Sequence, residues 1–164
     1  MRIYLDTNVF VVAVEQSGAV NELVDNLLLE GERKPGLLVT SELTLAELLV
    51  KPFQTRGEGP TGTSECPTQL VPNTIAAIYT RLVDSRPGLN VVPIDRSILI
   101  LSAFHRAANS VLKLPDAIHL ATAEQTACTH VISADRGLRP TAHYQFERVD
   151  LKANALKRII AELR

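Results

Sequence analysis

Four acids stand where a short apolar run meets polar sequence. They are Asp6 after Ile3-Tyr4-Leu5, Glu47 in TLAEL, Asp116 in LPDAIHLATA and Asp135 in VISADRGL. They lie far apart in the chain, yet each falls where a strand is expected to meet a helix. Acids that converge cannot all stay ionised side by side without a cation to neutralise them. Convergence of the four would therefore call for a divalent metal. A metal held on carboxylate oxygens points to phosphate chemistry.

Each acid also has a plainer reading. Asp6 suits the N-cap of a helix. Thr44 and Glu47 have the T-x-x-E spacing of a capping box, although Leu43, Ala46 and Leu48–Val50 make that helix apolar enough that a glutamate there needs a polar cleft or a partner. Asp116, after Pro115, falls in a first helical turn, where a carboxylate favours the helix dipole. Asp135 before Arg136-Gly137 can simply make a turn. The joint placement of the four at strand–helix junctions carries more weight than any one of them. His119 follows Asp116 by three residues and shares its helix face, but a histidine beside apolar neighbours is more often a core residue than a ligand. Asp95 reads as a helix cap. Arg136, Arg139 and Lys113 are candidates for touching a phosphate backbone, against the plainer reading of solvated surface charge.

The elements that must position these residues alternate. Strands are expected at Arg2–Leu5, Leu37–Thr40, Asn90–Ile94, Thr129–Ser133 and Phe146–Val149. Helical spacing runs through Asn21–Glu30, Leu43–Val50, Thr74–Arg86, from Asp95 to about Asn109, and through Leu114–Ala127. Residues 51–73 lose the pattern; they hold four prolines and three glycines and read as an exposed, irregular insertion. In the C-terminal segment, 151–164, Leu156, Ile159, Ile160 and Leu163 form one stripe, with Lys152, Lys157, Arg158 and Arg164 against Glu162 elsewhere. That stripe is expected to pack on the domain, with a subunit or partner interface as the alternative. The alternation predicts one three-layer α/β/α domain over 1–164 with a mostly parallel central sheet. Ligands of such sheets bind beyond the carboxyl ends of the strands. Asp6 and Asp135 belong to that rim.

Bulk properties exclude little but agree. The 164 residues suffice for one core, with 46% hydrophobic and 21% charged residues. A net charge of −1 does not mark a strongly basic binding module, so a polyanionic partner would need a local basic patch. Cys66 and Cys128 lack metal-like spacing and read as two free thiols in a reducing compartment. MRIYLDTN turns polar too early for a signal peptide, and no apolar run approaches the ~20 residues that span a bilayer. A soluble cytoplasmic protein without a membrane partner is the expectation.

IYLDTNVF, SELTLAELL, LPDAIHLATA and THVISADRGL, in this order and covering nearly the whole chain, resemble the PIN-domain nucleases, and among them the VapC-like toxins of toxin–antitoxin pairs. The 51–73 insertion, which follows the Glu47 helix, departs from the family pattern. The resemblance implies that Asp6, Glu47, Asp116 and Asp135 form the acidic set around Mg2+ or Mn2+, with Thr7 and Asn8 supporting it. It implies metal-dependent hydrolysis of RNA and a cognate antitoxin as partner; a homodimer is the expected assembly. Mg2+ takes only one or two direct carboxylates, so some of the four would act through bound water. Haloacid-dehalogenase phosphatases also begin with a strand ending in Asp, but they need a second Asp two residues on, where this chain has Asn8. A degenerate scaffold would be expected to lack acids, and all four are present. A housekeeping RNA-processing nuclease stays open beside the toxin.

Overall fold

The computed structural model describes residues 1–56 and 74–164. Its centre is a sheet of β1 (Ile3–Leu5), β2 (Leu38–Ser41), β3 (Leu89–Val92), β4 (His130–Ser133) and β5 (Glu147–Asp150), in the order β3-β2-β1-β4-β5. Every pairing is parallel, with Tyr4 opposite both Val39 and Val131. Successive side chains of a strand face opposite ways. Ile3 and Leu5 therefore join Leu38, Ile132 and Val149 on one face, while Tyr4 joins Val39 and Val131 on the other.

Both faces are covered, as a parallel sheet requires. Over the Ile3 face lie α1 (Thr7–Glu15), α2 (Ala19–Arg33), α4 (Ile75–Asp84) and α7 (Ala153–Glu162). Over the Tyr4 face lies α6 (Leu114–Gln125), with α5 (Arg96–Ala108) packed against it. Between them, α3 (Glu42–Arg56) gives Leu48 to the first core and Leu43 to the contact with α5 and α6. Asp95 caps α5 as expected, its Oδ1 accepting from the Ile98 amide at 2.9 Å.

Three local expectations are corrected or sharpened. The helix expected to stop at Val50 continues through Pro52 to Arg56. Proline removes one intrahelical bond; at this end of the helix Lys51 pairs with Glu15 of α1 at 2.7 Å, and α3 packs along α4. The remainder of the expected insertion, with Cys66, lies outside the described residues. The helix that Asp6 is expected to cap is present as α1, with Val9, Phe10 and Val12 buried. The C-terminal stripe packs inward: Leu156, Ile159, Ile160 and Leu163 are buried against the first core. Among the described residues no helix is long and apolar enough to cross a membrane.

Candidate active site

The strand order fixes where the sheet opens. From β1 the chain winds outward to β2 and β3 on one side and to β4 and β5 on the other, so β1 and β4 flank a switch point. Ligands of open parallel sheets bind in the crevice there, beyond the carboxyl ends of the strands. Asp6 directly follows β1, and Asp135 comes two residues after β4. The Asp6 amide donates to the Ile132 carbonyl at 3.1 Å, which locks the two strand ends together. The Ser133 hydroxyl then joins the acids: it donates to Asp6 Oδ2 at 2.7 Å and accepts from the Asp135 amide at 2.8 Å. Asp6 is 4% exposed. Its other partners are the Thr7 amide at 2.8 Å and Asn8 Nδ2 at 3.0 Å. Asp6 is thus both the cap of α1 and a carboxylate at the rim.

Glu47 reaches the same place from α3. Because α3 begins at Glu42, Thr44 lies inside the helix and cannot cap it. Its hydroxyl instead pairs with Thr40 at 2.8 Å, and Thr40 donates to the Leu5 carbonyl at 2.9 Å. Freed of the capping box, Glu47 accepts from the Thr7 hydroxyl and lies 3.1 Å from His119 Nε2. His119 is buried, with Nδ1 2.7 Å from the Tyr4 hydroxyl and Nε2 3.7 Å from Asp6 Oδ1. Burial holds the Tyr4 phenol far above its ordinary pKa, so it is protonated and can donate to Nδ1. In that tautomer Nε2–H is left to donate to Glu47. Burial pushes the Glu47 carboxyl up, but the hydrogen bonds from His119 and Thr7 outweigh it and hold it below its usual range.

Asp116 lies in the first turn of α6, behind Pro115, and is half-buried. Its carboxyl is held above its ordinary range, first by burial and then by the charge of Asp135, with a smaller push from Asp6; His119 and Lys113 offset this only in part. Asp6, Asp116 and Asp135 therefore share one field. Asp135 is exposed, and its Oδ1 accepts from the Gly137 amide at 2.7 Å, so the turn reading of this residue is also observed. Lys113 stands exposed at the head of α6. Arg136 and Arg139 are exposed on the Asp135 turn, where Arg139 Nε donates to the Arg136 carbonyl at 2.7 Å.

Among the described residues, no three His, Cys, Asp or Glu side chains already stand as a group that could hold a metal ion. The chemistry of the donors nevertheless fits a hard divalent cation. They are carboxylate oxygens, and part of the push on Asp116, after burial, is the charge of Asp135 and Asp6, which such an ion would relieve. Glu47 differs from the rest, being already engaged by Thr7 and His119. Ser133, His119 and Tyr4 are the residues that sequence reasoning undervalued. The three-residue step from Asp116 to His119 was the one signal available for them.

The PIN domain profile matches residues 3–144, and the chain belongs to this family, whose members are generally nucleases. Similar solved structures include a toxin–antitoxin complex from Klebsiella pneumoniae, at 22% identity over 82% of this chain and 87% of that one, TM-score 0.52. VapC20 of Mycobacterium tuberculosis, a toxin that cleaves the sarcin-ricin loop, is similar at 14% identity over 79% and 86%, TM-score 0.53. VapBC2 of Rickettsia felis, bound to a DNA fragment from its promoter, is similar at 14% identity over 90% and 98%, TM-score 0.60. At these identities the likeness establishes the fold. Among curated proteins, none matches the sequence.

Proposed function

We propose that this chain is a metal-dependent endoribonuclease and the toxin of a type II toxin–antitoxin pair. The observation that carries the reading is the meeting of Asp6 and Asp135 at the switch point through the Ser133 hydroxyl, with Asp116 close enough that both charges add to burial in raising its carboxyl. Asp6, Asp116 and Asp135 would hold Mg2+ or Mn2+. When bound, the ion supplies Lewis-acid polarisation of the phosphodiester and activation of water. The chain's own residues do the positioning. Ser133, Asn8 and the Thr7 amide orient the Asp6 carboxylate. Tyr4 fixes His119, and His119 with Thr7 fixes Glu47 beside Asp6. Glu47 then acts from a set position as a hydrogen-bond acceptor.

Toxin–antitoxin complexes among the similar structures support an antitoxin partner. A homodimer is the assembly we favour, because α5 leaves Leu99, Ile100 and Phe104 exposed along its outer side. The test of the central reading is cleavage of a fluorescently labelled single-stranded RNA by the purified chain. Cleavage with Mg2+ or Mn2+, abolished by chelator and by Asp6→Asn, is the expected result. Asparagine preserves the cap of α1, so loss in that variant reports on the carboxylate. Undiminished cleavage by Asp6→Asn would remove the assignment.

A further inference from the structure

Arg136 and Arg139 leave the Asp135 turn toward two different clefts. Arg139 lines one beside His105 and His143. Arg136 lines a smaller one of about 120 Å3, with Ala134, Arg148, Asp150, Leu151 and Lys152. We propose that this smaller cleft binds a backbone phosphate of single-stranded RNA next to the bond being cut. The inference rests on the ribonuclease reading above.

Three cations line the cleft against one carboxylate. Asp150 engages Arg148 Nη1 and lies 3.6 Å from Lys152 Nζ. Arg148 also donates from Nε to the Asp135 carbonyl at 3.2 Å. Its Nη2 is buried and has no partner among the described residues. The side chain of Arg136 is exposed and has no partner among them either. That nitrogen exposes almost no surface, so the groups open to a phosphate are the exposed Arg136 guanidinium and the Lys152 ammonium, and a phosphate oxygen is the acceptor that guanidinium geometry matches.

The position of the cleft gives it a purpose. Ala134 and Arg136 flank Asp135 in the chain, and Arg148 is bonded to the Asp135 backbone. A phosphate held there is therefore adjacent to the acids. The acids themselves repel a polyanion, so a strand approaching them needs a cationic hold outside the acidic field. Lys152 and Arg136, both exposed, supply that hold at the lip, with the charge of the half-buried Arg148 behind them. Arg148 also ties β5 to the Asp135 turn, so it joins phosphate binding to the placement of Asp135.

The test is fluorescence anisotropy of a fluorescein-labelled single-stranded RNA, titrated with full-length protein in EDTA between 50 and 200 mM KCl. Each phosphate contact on a single strand contributes about 0.7 to the slope of log K against log salt. Arg136→Ala and Lys152→Ala should each lower the slope by about 0.7, and the double variant by about 1.4. Each single variant should then lose about 2.6-fold less affinity than wild type across that salt range. Lys157→Ala, an exposed cation further along α7, should leave the slope unchanged. In Mg2+, Arg136→Ala and Lys152→Ala should raise KM without changing kcat. Unchanged slopes, equal losses in Lys157→Ala, or no binding by wild type would overturn the cleft and leave it to an acidic protein partner or to none. Slopes that change as expected while wild type cleaves no RNA in Mg2+ would keep the cleft and overturn the ribonuclease reading instead.

Discussion

Glu15 and Asp116 are both carboxylates on helices, and their surroundings treat them oppositely. Glu15, on α1, accepts from Lys51 of α3 and from the Tyr79 hydroxyl of α4, each at 2.7 Å. Lys51 first, then Tyr79, hold its carboxyl below the usual range. Asp116 meets burial and two other acids, and its carboxyl is held above that range. Glu15 is a finished contact, with charge and hydrogen bonds supplied by the chain. Asp116 is unfinished: the chain gathers negative charge there and brings only the partial offsets of Lys113 and His119. Carboxylates perturbed by burial and by neighbouring acids cluster at functional sites, which is why we read Asp116 as part of one.

The largest effect that would break this contrast is on activity. Asp116→Asn should reduce kcat/KM for RNA cleavage by about a thousandfold, since a bound ion contributes several kcal/mol to the transition state. Glu15→Gln should leave kcat/KM unchanged. Comparable losses in both, measured at saturating Mg2+, would erase the distinction.

His119→Ala tests the support behind the acids. It removes the His119 partner of the buried Tyr4 hydroxyl and leaves Glu47 held by Thr7. An unsatisfied buried group costs about 1–3 kcal/mol, so Tm should fall by roughly 3–10 °C. Loss of a group that orients metal-site acids should also weaken Mn2+ affinity by about 10–100-fold. A variant that loses stability but keeps its Mn2+ affinity would make His119 a core residue and nothing more.

The smallest effects are the most diagnostic, because their signs differ. The folded pKa of Glu15 is depressed, so its contribution to stability is present above the unfolded carboxylate pKa and is lost as pH falls through the lowered value. Glu15→Gln should therefore lower Tm at pH 7, by an amount worth under about 1 kcal/mol for an exposed pair. The folded pKa of Asp116 is raised, so its contribution is present below the unfolded pKa and is lost as pH rises through the raised value. In EDTA at pH 7, Asp116→Asn should raise Tm by roughly 1–3 °C, and the gain over wild type should shrink toward pH 4. A fall in Tm for Asp116→Asn at pH 7 would mean that the acids do not oppose one another.

How much of this could be read from the sequence follows the range of the interactions. Asp6 and Asp135 were legible because strand ends are local signals and a parallel sheet gives strand ends one meaning. Asp116 was legible through Pro115 and the apolar run behind it. Glu47 was ambiguous because the capping-box spacing was present; only the start of α3 at Glu42, set by the end of β2, decides against that reading. His119 was hidden because its partners lie 72 and 115 residues away, on α3 and β1. Ser133 looked like the last residue of a strand, and its two bonds exist only because β1 and β4 are neighbours. The helix runs past Val50 although the apolar period is lost from residue 51, because α3 goes on packing along α4, a contact that no local pattern shows.

The central claim is that Asp6, Asp116 and Asp135 together accept a divalent cation. It is tested most directly by the Mn2+ dependence of thermal unfolding for metal-free wild type and for Asp6→Asn. At a hundredfold excess over Kd, binding to the folded state alone adds about 2.7 kcal/mol. Wild type should then gain about 5–10 °C in Tm, and Asp6→Asn should gain little. Equal gains in the two proteins, or none in wild type, would contradict the account.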